Sequence, residues 1–204
     1  GGEPTSVAVS GRYALVGVNT SDSYVDASGH LAVYDLPACL ANVAGCAPVH
    51  TLDMNGQPDS VAVSPNGRYA AVAIENERDE ELNDGELPQA PAGFVVLVGL
   101  KDGVADCASL RKVDVTGLAA VAGDDPEPEF VDINGNGEVA VTMQENNHIV
   151  IIDGKSGKVT SHFSAGSVDL AGVDTKSDGA ISFTGEKKDV AREPDAIQWL
   201  GTDR

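Results

Sequence analysis

One short phrase returns four times along this chain, and that repeat limits the fold more than any other feature. Its copies begin at Pro4, Pro58, Pro128 and Pro194, each preceded by Glu or Gln and followed by an apolar run. Successive copies are therefore 54, 70 and 66 residues apart. A supersecondary unit repeated every 40–50 residues or so is typical of β-propeller blades, so each longer unit here must carry an inserted loop.

Within each copy, short alternating runs predict β-strands joined by tight turns. In the first copy these strands are residues 6–10, 13–18, 30–34 and 50–54, and the matching third strands of the later copies are 94–98 and 148–153. Asn66-Gly67 and Asn136-Gly137 favour hairpins, because Asn-Gly readily adopts positive φ. The segment that begins at Asp132 also fits half of a calcium-loop pattern, but its alignment with the hairpin at Asn66 favours a plain turn.

The sequence therefore predicts an all-β fold, a β-propeller of four-stranded antiparallel blades. Within a single partial propeller domain over 1–204, the predicted blades are residues 3–56, 57–126 and 127–192, and residues 193–204 start the next. Three blades and the start of a fourth do not close a ring of the usual size. We expect the remainder of the propeller, in the same parent protein or in a second chain, to be a partner of this segment.

Loops alternate between the two ends of an antiparallel meander, and this sorts the unusual sequence onto one rim. The loops between second and third strands lie on the same rim as the start of each blade, whereas the hairpins lie on the opposite rim. The first rim receives residues 19–22, 75–86 and 144–147, which are rich in Asp, Glu and Asn. Hard oxygen ligands from several blades are what Ca²⁺ prefers, so any activity is predicted at this rim.

The charge of the chain excludes several classes of partner. It holds 32 acidic against 13 basic residues, for a formal net charge of −19. Such a surface repels nucleic-acid phosphates and anionic lipids, so we expect no nucleic acid as a partner. Because no apolar stretch approaches the ~18 residues of a membrane span, we also expect no membrane insertion. Divalent cations would be attracted, although a solvated acidic surface explains the charge equally simply.

The cysteines and histidines show no catalytic or metal-binding spacing. Cys39 and Cys46 flank a small loop that a disulfide could close, which hints at an oxidising compartment and hence a secreted, periplasmic or cell-surface protein. Cys107 is left over, either as a buried thiol or with a partner outside this chain. The four histidines are scattered among the strands, and no signature of the common hydrolases occurs.

Four segments carry a resemblance to a known family: residues 18–21, 75–94, 144–147 and 192–196. In these segments the chain resembles the secreted bacterial propellers grouped as phytase-like, also described as esterase-like activity of phytase or alkaline phosphatase-like. The resemblance covers essentially the whole chain, and the long acidic loop 75–94 is its most specific part. It implies a calcium-associated propeller outside the cytoplasm, with phosphoester hydrolysis as its activity in the full-length parent.

If that activity holds, the mechanism would be metal-assisted, with Ca²⁺ neutralising phosphate oxygens and activating a water. Loop placement and the resemblance together give the calcium ligands as Glu75, Glu77, Asp79, Asp84, Glu145 and Asp195. Arg78 and Arg192 would hold the phosphate through paired hydrogen bonds. An ion pair with a neighbouring carboxylate is an equally good explanation of Arg78.

The alternative is a non-catalytic extracellular binding or scaffold propeller, whose rim loops are ordered by calcium and whose partner is a surface ligand. Enzymatic function therefore stays open at the level of the sequence. For the isolated chain, without the rest of the ring, we expect no activity.

Overall fold

A computed structural model describes residues 2–201, and nearly all of its regular structure in that range is antiparallel β-sheet. The first sheet has the order β1-β2-β3-β4, and we call it blade 1. Its strands are β1 (Glu3–Ser10), β2 (Tyr13–Asn19), β3 (Gly29–Asp35) and β4 (His50–Asp53). A short helix, α1 (Leu36–Ala41), precedes β4, and its first turn is capped by the Asp35 side chain. Cys39 and Cys46 are joined in a disulfide beside this helix.

Blade 2 has the same meander with a divided outer strand. Its members are β5 (Pro58–Val63), β6 (Tyr69–Ile74), β7 (Phe94–Lys101), β8 (Val104–Ala105) and β9 (Arg111–Val113). The end of β7 pairs with β8, while its earlier part pairs with β9. The nineteen residues that separate β6 from β7, residues 75–93, hold the long acidic loop.

Blade 3 is again a four-stranded meander, and a separate hairpin follows it. The blade consists of β10 (Pro128–Ile133), β11 (Glu138–Met143), β12 (His148–Asp153) and β13 (Lys158–Ser164). The hairpin consists of β14 (Ser167–Val173) and β15 (Gly185–Ala191), which pair only with each other among the described strands. The predicted propeller architecture of four-stranded antiparallel blades is confirmed. The predicted turns at Gly67 and Gly137 are hairpins, and these glycines have φ of 66° and 86°.

The blades pack face to face, and strand alternation decides which residues meet. In β6, Ala70, Val72 and Ile74 face blade 1, whereas Ala71 and Ala73 face blade 3. Blade 2 is therefore buried on both faces, which is why its strands β6 and β7 read as continuous apolar runs. Two hydrophobic cores result, one on each side of blade 2.

Serine hydroxyl groups join the first strands of successive blades. The backbone N–H of Val61 donates to Ser6 Oγ at 3.0 Å, and that of Val131 donates to Ser60 Oγ at 3.3 Å. Ser6 and Ser60 hold the same position in the repeat, so the same bond is made twice. It fixes the lateral register of β5 on β1 and of β10 on β5.

One face of blade 1 has no neighbour within the described chain. Val7, Val61 and Val131 are equivalent positions of the repeat, yet Val7 is 64% exposed while Val61 is 6% and Val131 is 2% exposed. Val61 and Val131 each pack on a preceding blade, and Val7 has none. On the far side of blade 3, Phe130 and Phe163 are likewise exposed.

The fourth copy of the repeat is not a β-strand in the structure. Its Trp199 nevertheless docks on β10, since the backbone N–H donates to Asp132 Oδ2 at 2.7 Å and the indole N–H donates to Asp132 O at 3.3 Å. The segment thus lies beside β10 as β10 lies beside β5. It forms no ladder there among the described residues.

Candidate functional site

The starts of the blades and the loops after their second strands lie on one rim, as the meander predicts. The Glu75 N–H donates to Gln57 O at 3.1 Å, which places the end of β6 next to the start of β5. We call the carboxylates gathered on this rim the acidic mouth. Its members are Asp59, Glu75, Glu127, Glu129, Glu145 and Asp195.

Two buried asparagines hold the starts of blades 2 and 3 in place. Asn76 Oδ1 accepts from the Gln57 N–H, and Asn146 Oδ1 accepts from the Glu127 N–H, both at 2.9 Å. Their side-chain nitrogens donate to loop carbonyls, with Asn146 reaching Asp125 O at 3.0 Å. Sequence reasoning placed Asn146 on this rim only as an oxygen ligand and missed its clamping role. The signal was present, because each asparagine lies 19 residues after the residue it holds.

Arg78 is enclosed by carboxylates of the mouth. Its Nη1 lies 2.8 Å from Glu145 Oε1 and 3.2 Å from Glu127 Oε2, and its Nε donates to Gly85 O at 2.7 Å. Glu127 is buried and the Arg78 side chain is largely so. Of the two explanations given for Arg78, the structure shows the ion pair, which ties the acidic loop to blade 3.

Two carboxylates of the mouth retain protons near neutral pH. Burial, followed by the charges of Asp59 and Glu127, raises the pKa of Glu75 to about 8. Burial, followed by a hydrogen bond to Asp195, raises the pKa of Glu129 to about 8 as well. The Gln144 amide, with its nitrogen turned toward the acids, donates to Glu129.

Burial also perturbs the acids around this pair. It raises the pKa of Asp59 to about 6, with the charge of Glu77 contributing next. It raises the pKa of Glu127 to about 7, even though Arg78 opposes the shift. Asp125 lies behind Glu127, accepts from the Gln89 N–H through one oxygen, and has no partner for the other within residues 2–201. The mouth is therefore short of positive charge.

The residues predicted as calcium ligands do not form one group. Glu75, Glu145 and Asp195 belong to the mouth, but Glu77 is exposed and accepts from the Gln57 side chain at 3.2 Å. Asp79 and Asp84 lie in the outer part of the acidic loop, where Asp79 Oδ1 accepts from the Glu81 N–H. Among residues 2–201, no three His, Cys, Asp or Glu side chains are spaced to hold a metal ion. The six residues thus do not fit one preformed calcium cage.

The second predicted phosphate-holding residue is held by other groups than the carboxylates of the mouth. Arg192 follows β15, and its Nη1 donates to Ala165 O at 3.1 Å, while its own carbonyl accepts from Asn147 Nδ2. It makes no ion pair with the mouth among the described residues. Within the described chain, neither guanidinium is therefore free of protein partners.

Two histidine contacts lie outside the mouth. His148 Nε2 is 3.0 Å from His162 Nδ1 across β12 and β13, and burial lowers the pKa of His148. His50 Nε2 is 3.3 Å from the exposed Cys107 thiol, which joins blades 1 and 2. The prediction of a buried Cys107 is thus wrong, because Cys107 lies on a surface turn between β8 and β9.

The acidic mouth holds more carboxylates than the nearby positive charge can neutralise. Several acids from blades 2 and 3 and the Asp195 segment face one another, two of them protonated, with Arg78 already used by two carboxylates. A positive group that entered the mouth would replace these protons and relieve the mutual repulsion. A phosphate would instead meet carboxylates that repel it.

Comparisons with known proteins identify the fold and the family more firmly than the activity. A family model described as "Choice-of-anchor I domain" matches residues 1–204. A search of curated proteins found no match. The phytase-like specificity implied by the resemblance stays a prediction.

Among solved structures, the β-propeller domain of Cps50 (Swd1) from Myceliophteria thermophila is similar to this chain, with a TM-score of 0.52 at 11% identity over 80% of this chain and 44% of that one. The β-propeller domain of the trilobed protease from Pyrococcus furiosus has a TM-score of 0.49 at 11% identity over 83% and 44%. Hydrazine synthase from Kuenenia stuttgartiensis has a TM-score of 0.48 at 14% identity over 72% and 38%. The chain thus spans less than half of each of these chains.

Proposed function

This chain belongs to the choice-of-anchor I domain family, and from that premise and the geometry of the acidic mouth we propose that it is part of an extracellular binding propeller, without catalytic turnover, whose mouth takes a positively charged ligand. The observation that carries the proposal is the gathering of six carboxylates on one rim where Arg78 is already paired with Glu127 and Glu145. The pKa values of Glu75 and Glu129, both raised to about 8, agree with this shortage of positive charge.

An extracellular or cell-surface location is supported by two features. The family description names an anchor, and the disulfide between Cys39 and Cys46 is typical of oxidising compartments. In residues 2–201 no helix has the length and apolar character needed to cross a membrane.

Metal-assisted phosphoester hydrolysis is the second candidate, and the geometry favours it less. Both arginines expected to hold the phosphate are engaged by protein groups, Arg78 by Glu127 and Glu145, and Arg192 by Ala165. The predicted calcium ligands are dispersed along the rim and the outer loop. Binding of a positively charged ligand without turnover requires neither a free arginine nor a preformed metal site.

The pH dependence of stability tests the mouth directly. The folded chain holds protons on Glu75 and Glu129 that the unfolded chain releases above its ordinary carboxyl pKa. The folded state therefore binds more protons up to about pH 8, and its free energy of unfolding falls as the pH rises from about 5 to about 8. We expect the melting temperature to fall over that range in the absence of a bound cation.

A calcium titration at about pH 5 and about pH 8 separates cation binding without turnover from metal-assisted hydrolysis. Millimolar Ca²⁺ is the probe, and it should raise the melting temperature more at about pH 8 than at about pH 5, because it replaces protons at the mouth. Glu129→Gln should weaken this response, whereas Glu186→Gln on the exposed strand β15 should leave it unchanged. p-Nitrophenyl phosphate in the same samples should not be hydrolysed.

Turnover of that substrate, lost in Arg78→Gln, would overturn the non-catalytic reading. A melting temperature indifferent to Ca²⁺ at both pH values would mean that the mouth takes no divalent cation. The same measurement with an arginine ester as the probe would then decide whether it takes organic cations. Failure of both probes would reject the proposed binding function.

A further inference from the structure

A cavity lies on the rim opposite the acidic mouth, between blades 2 and 3. It has a volume of about 460 Å³ and is lined by residues of turns and strand ends, among them Asn66, Arg68, Arg111, Asn136, Asp153 and Lys155. Three of the 13 basic residues of a chain with net charge −19 therefore meet at one cavity. We call Arg68, Arg111 and Lys155 with this cavity the basic cleft.

Comparison of the repeats shows that Arg68 has lost its internal partner. In blade 1 the equivalent Arg12 forms an ion pair with Asp35 at 2.6 Å. Asp35 lies opposite Tyr13 in the β2–β3 ladder, and the residue opposite Tyr69 in the β6–β7 ladder is Gly99. The carboxylate that neutralises the arginine in blade 1 is thus replaced by a glycine in blade 2. Within residues 2–201, Arg68 forms no ion pair.

Arg111 is held across the cleft from blade 2 to blade 3. Its Nη1 donates to Lys155 O at 3.1 Å, in the turn between β12 and β13. Gly157 in that turn leaves room for the side chain, since a Cβ there would lie 2.6 Å from Arg111 Cδ. A carbonyl satisfies one donor of the guanidinium without neutralising its charge. Arg111 makes no ion pair with a carboxylate among the described residues.

The one carboxylate in the cleft is already committed to its own turn. Asp153 Oδ1 accepts from the Ser156 N–H at 2.6 Å, and hydrogen bonding to Ser156 lowers the pKa of Asp153. Three cations thus face one carboxylate whose oxygen is used locally. The Asn66 and Asn136 side chains, from the two neighbouring hairpins, add hydrogen-bonding groups to the lining.

The acidic mouth is too far away to cancel this local charge. The inner strands of the blades, such as β5 and β10, have six residues each, which spans about 20 Å at the rise of a β-strand. Exposed charges are screened over about 8 Å at physiological ionic strength, so the two rims act almost independently. The overall negative charge slows the approach of an anion, while the residues that line the cleft hold three basic groups against one carboxylate.

We propose that the basic cleft between blades 2 and 3 is a binding site for a tetrahedral oxyanion, a phosphate or sulfate group, held by the guanidinium groups of Arg68 and Arg111. Guanidinium forks match such oxyanions because they donate two parallel hydrogen bonds to neighbouring oxygens. The cleft is large enough to take the group together with the small molecule or sugar that carries it. It is independent of the function proposed for the acidic mouth.

Inorganic phosphate is the first probe. Its binding is measured by NMR from the chemical shifts of the backbone amides. Saturable shifts should appear at Asn66, Gly137 and Gly154, with a dissociation constant of about 1 mM or tighter. Arg68→Gln should weaken the binding by about tenfold. Arg111→Lys, which keeps the charge but removes the fork, should weaken it as well. Lys187→Gln, the same change of charge on the exposed hairpin strand β15, is the matched control and should bind as the wild type does.

Two further probes identify the kind of molecule to which the bound phosphate group belongs. Glucose 6-phosphate tests a sugar-borne group, and phosphatidylglycerol vesicles test a lipid headgroup. Arg68-dependent binding of any one of the three probes supports the site. The proposal is overturned if no probe gives saturable shifts at the cleft, or if Arg68→Gln and Lys187→Gln weaken binding equally, since the effect is then net charge alone.

Discussion

Arg78 joins three separate parts of the rim that carries the acidic mouth: the carbonyl of Gly85 in its own loop, Glu127 at the start of blade 3, and Glu145 after β11. Glu127 is buried, so its charge depends on this arginine. Removing one member of a buried ion pair leaves an uncompensated charge, and that usually costs far more than the pair itself contributes.

Arg78→Gln should therefore destabilise the chain by about 3 kcal/mol at pH 8, measured by urea unfolding. The loss should be smaller at about pH 5, because Glu127, whose pKa is about 7, then carries a proton and needs no cation. Arg12→Gln breaks the exposed ion pair with Asp35 and serves as the control, with little change expected at either pH. Equal losses for Arg78→Gln at both pH values would show that Glu127 does not carry the effect.

At the scale of elements, the first strands of blades 2 and 3 are positioned by side chains as much as by their ladders. Asn76 accepts from the backbone N–H of Gln57, and Asn146 accepts from that of Glu127. Each of these residues precedes the proline that begins a copy of the repeat. Gln57 and Glu127 are buried, so their backbone N–H groups need an acceptor within the protein. The asparagines supply it and, through their amide nitrogens, also fix the neighbouring loops.

Asn146→Ala should destabilise blade 3 by about 2 kcal/mol, because the buried Glu127 N–H loses its acceptor. Hydrogen exchange at the Glu127 amide should accelerate. The Gln57 amide, held in the same way by Asn76, is the internal control and should be unaffected. Acceleration at both amides would indicate global loosening, and acceleration at neither would mean that the Asn146 bond contributes little.

Much of the fold follows from the repeat, and the reason is local. Alternating apolar runs and Gly-containing turns define strands and hairpins within about ten residues of each other. In a meander of such strands, each strand pairs with the next one in the sequence. The gathering of acids on one rim follows from the same alternation. The hairpin β14–β15 was missed, because its strands are largely polar and exposed, so no apolar period marks them.

The details of the site depend on contacts between residues distant in sequence. Arg78 selects Glu127, 49 residues away, and nothing in the composition of the acidic loop specifies that choice. Likewise, the pKa of Glu75 is raised by burial and by the charges of Asp59 and Glu127, which are distant from it in sequence. The replacement of Asp35 by Gly99 is different, because an alignment of the repeats would have revealed it. Sequence reasoning predicted the rim, and the tertiary contacts determined which residues on it are free.

For the whole molecule, the two terminal faces of the blade stack determine how it behaves. The blade 1 face that carries Val7 is open in the described chain, and the blade 3 face that carries Phe130 is covered only in part, by the segment that docks Trp199 on β10. The equivalent faces of blade 2 are buried. Exposed apolar surface of this kind marks an interaction site. That further blades, in the parent protein or in a second chain, cover these faces stays a prediction from the sequence.

Equivalent valines test this prediction one position at a time. Val61→Ala and Val131→Ala remove two buried carbons from inter-blade cores and should each cost about 2 kcal/mol in the free energy of unfolding. Val7→Ala removes the same atoms from solvent-exposed surface and should cost almost nothing in this chain. When the remaining blades are present, Val7 should become buried as Val61 is, and Val7→Ala should then cost as much as Val61→Ala. A full cost for Val7→Ala in the chain alone would show that its face is already covered, and a negligible cost in the completed ring would show that no blade packs there.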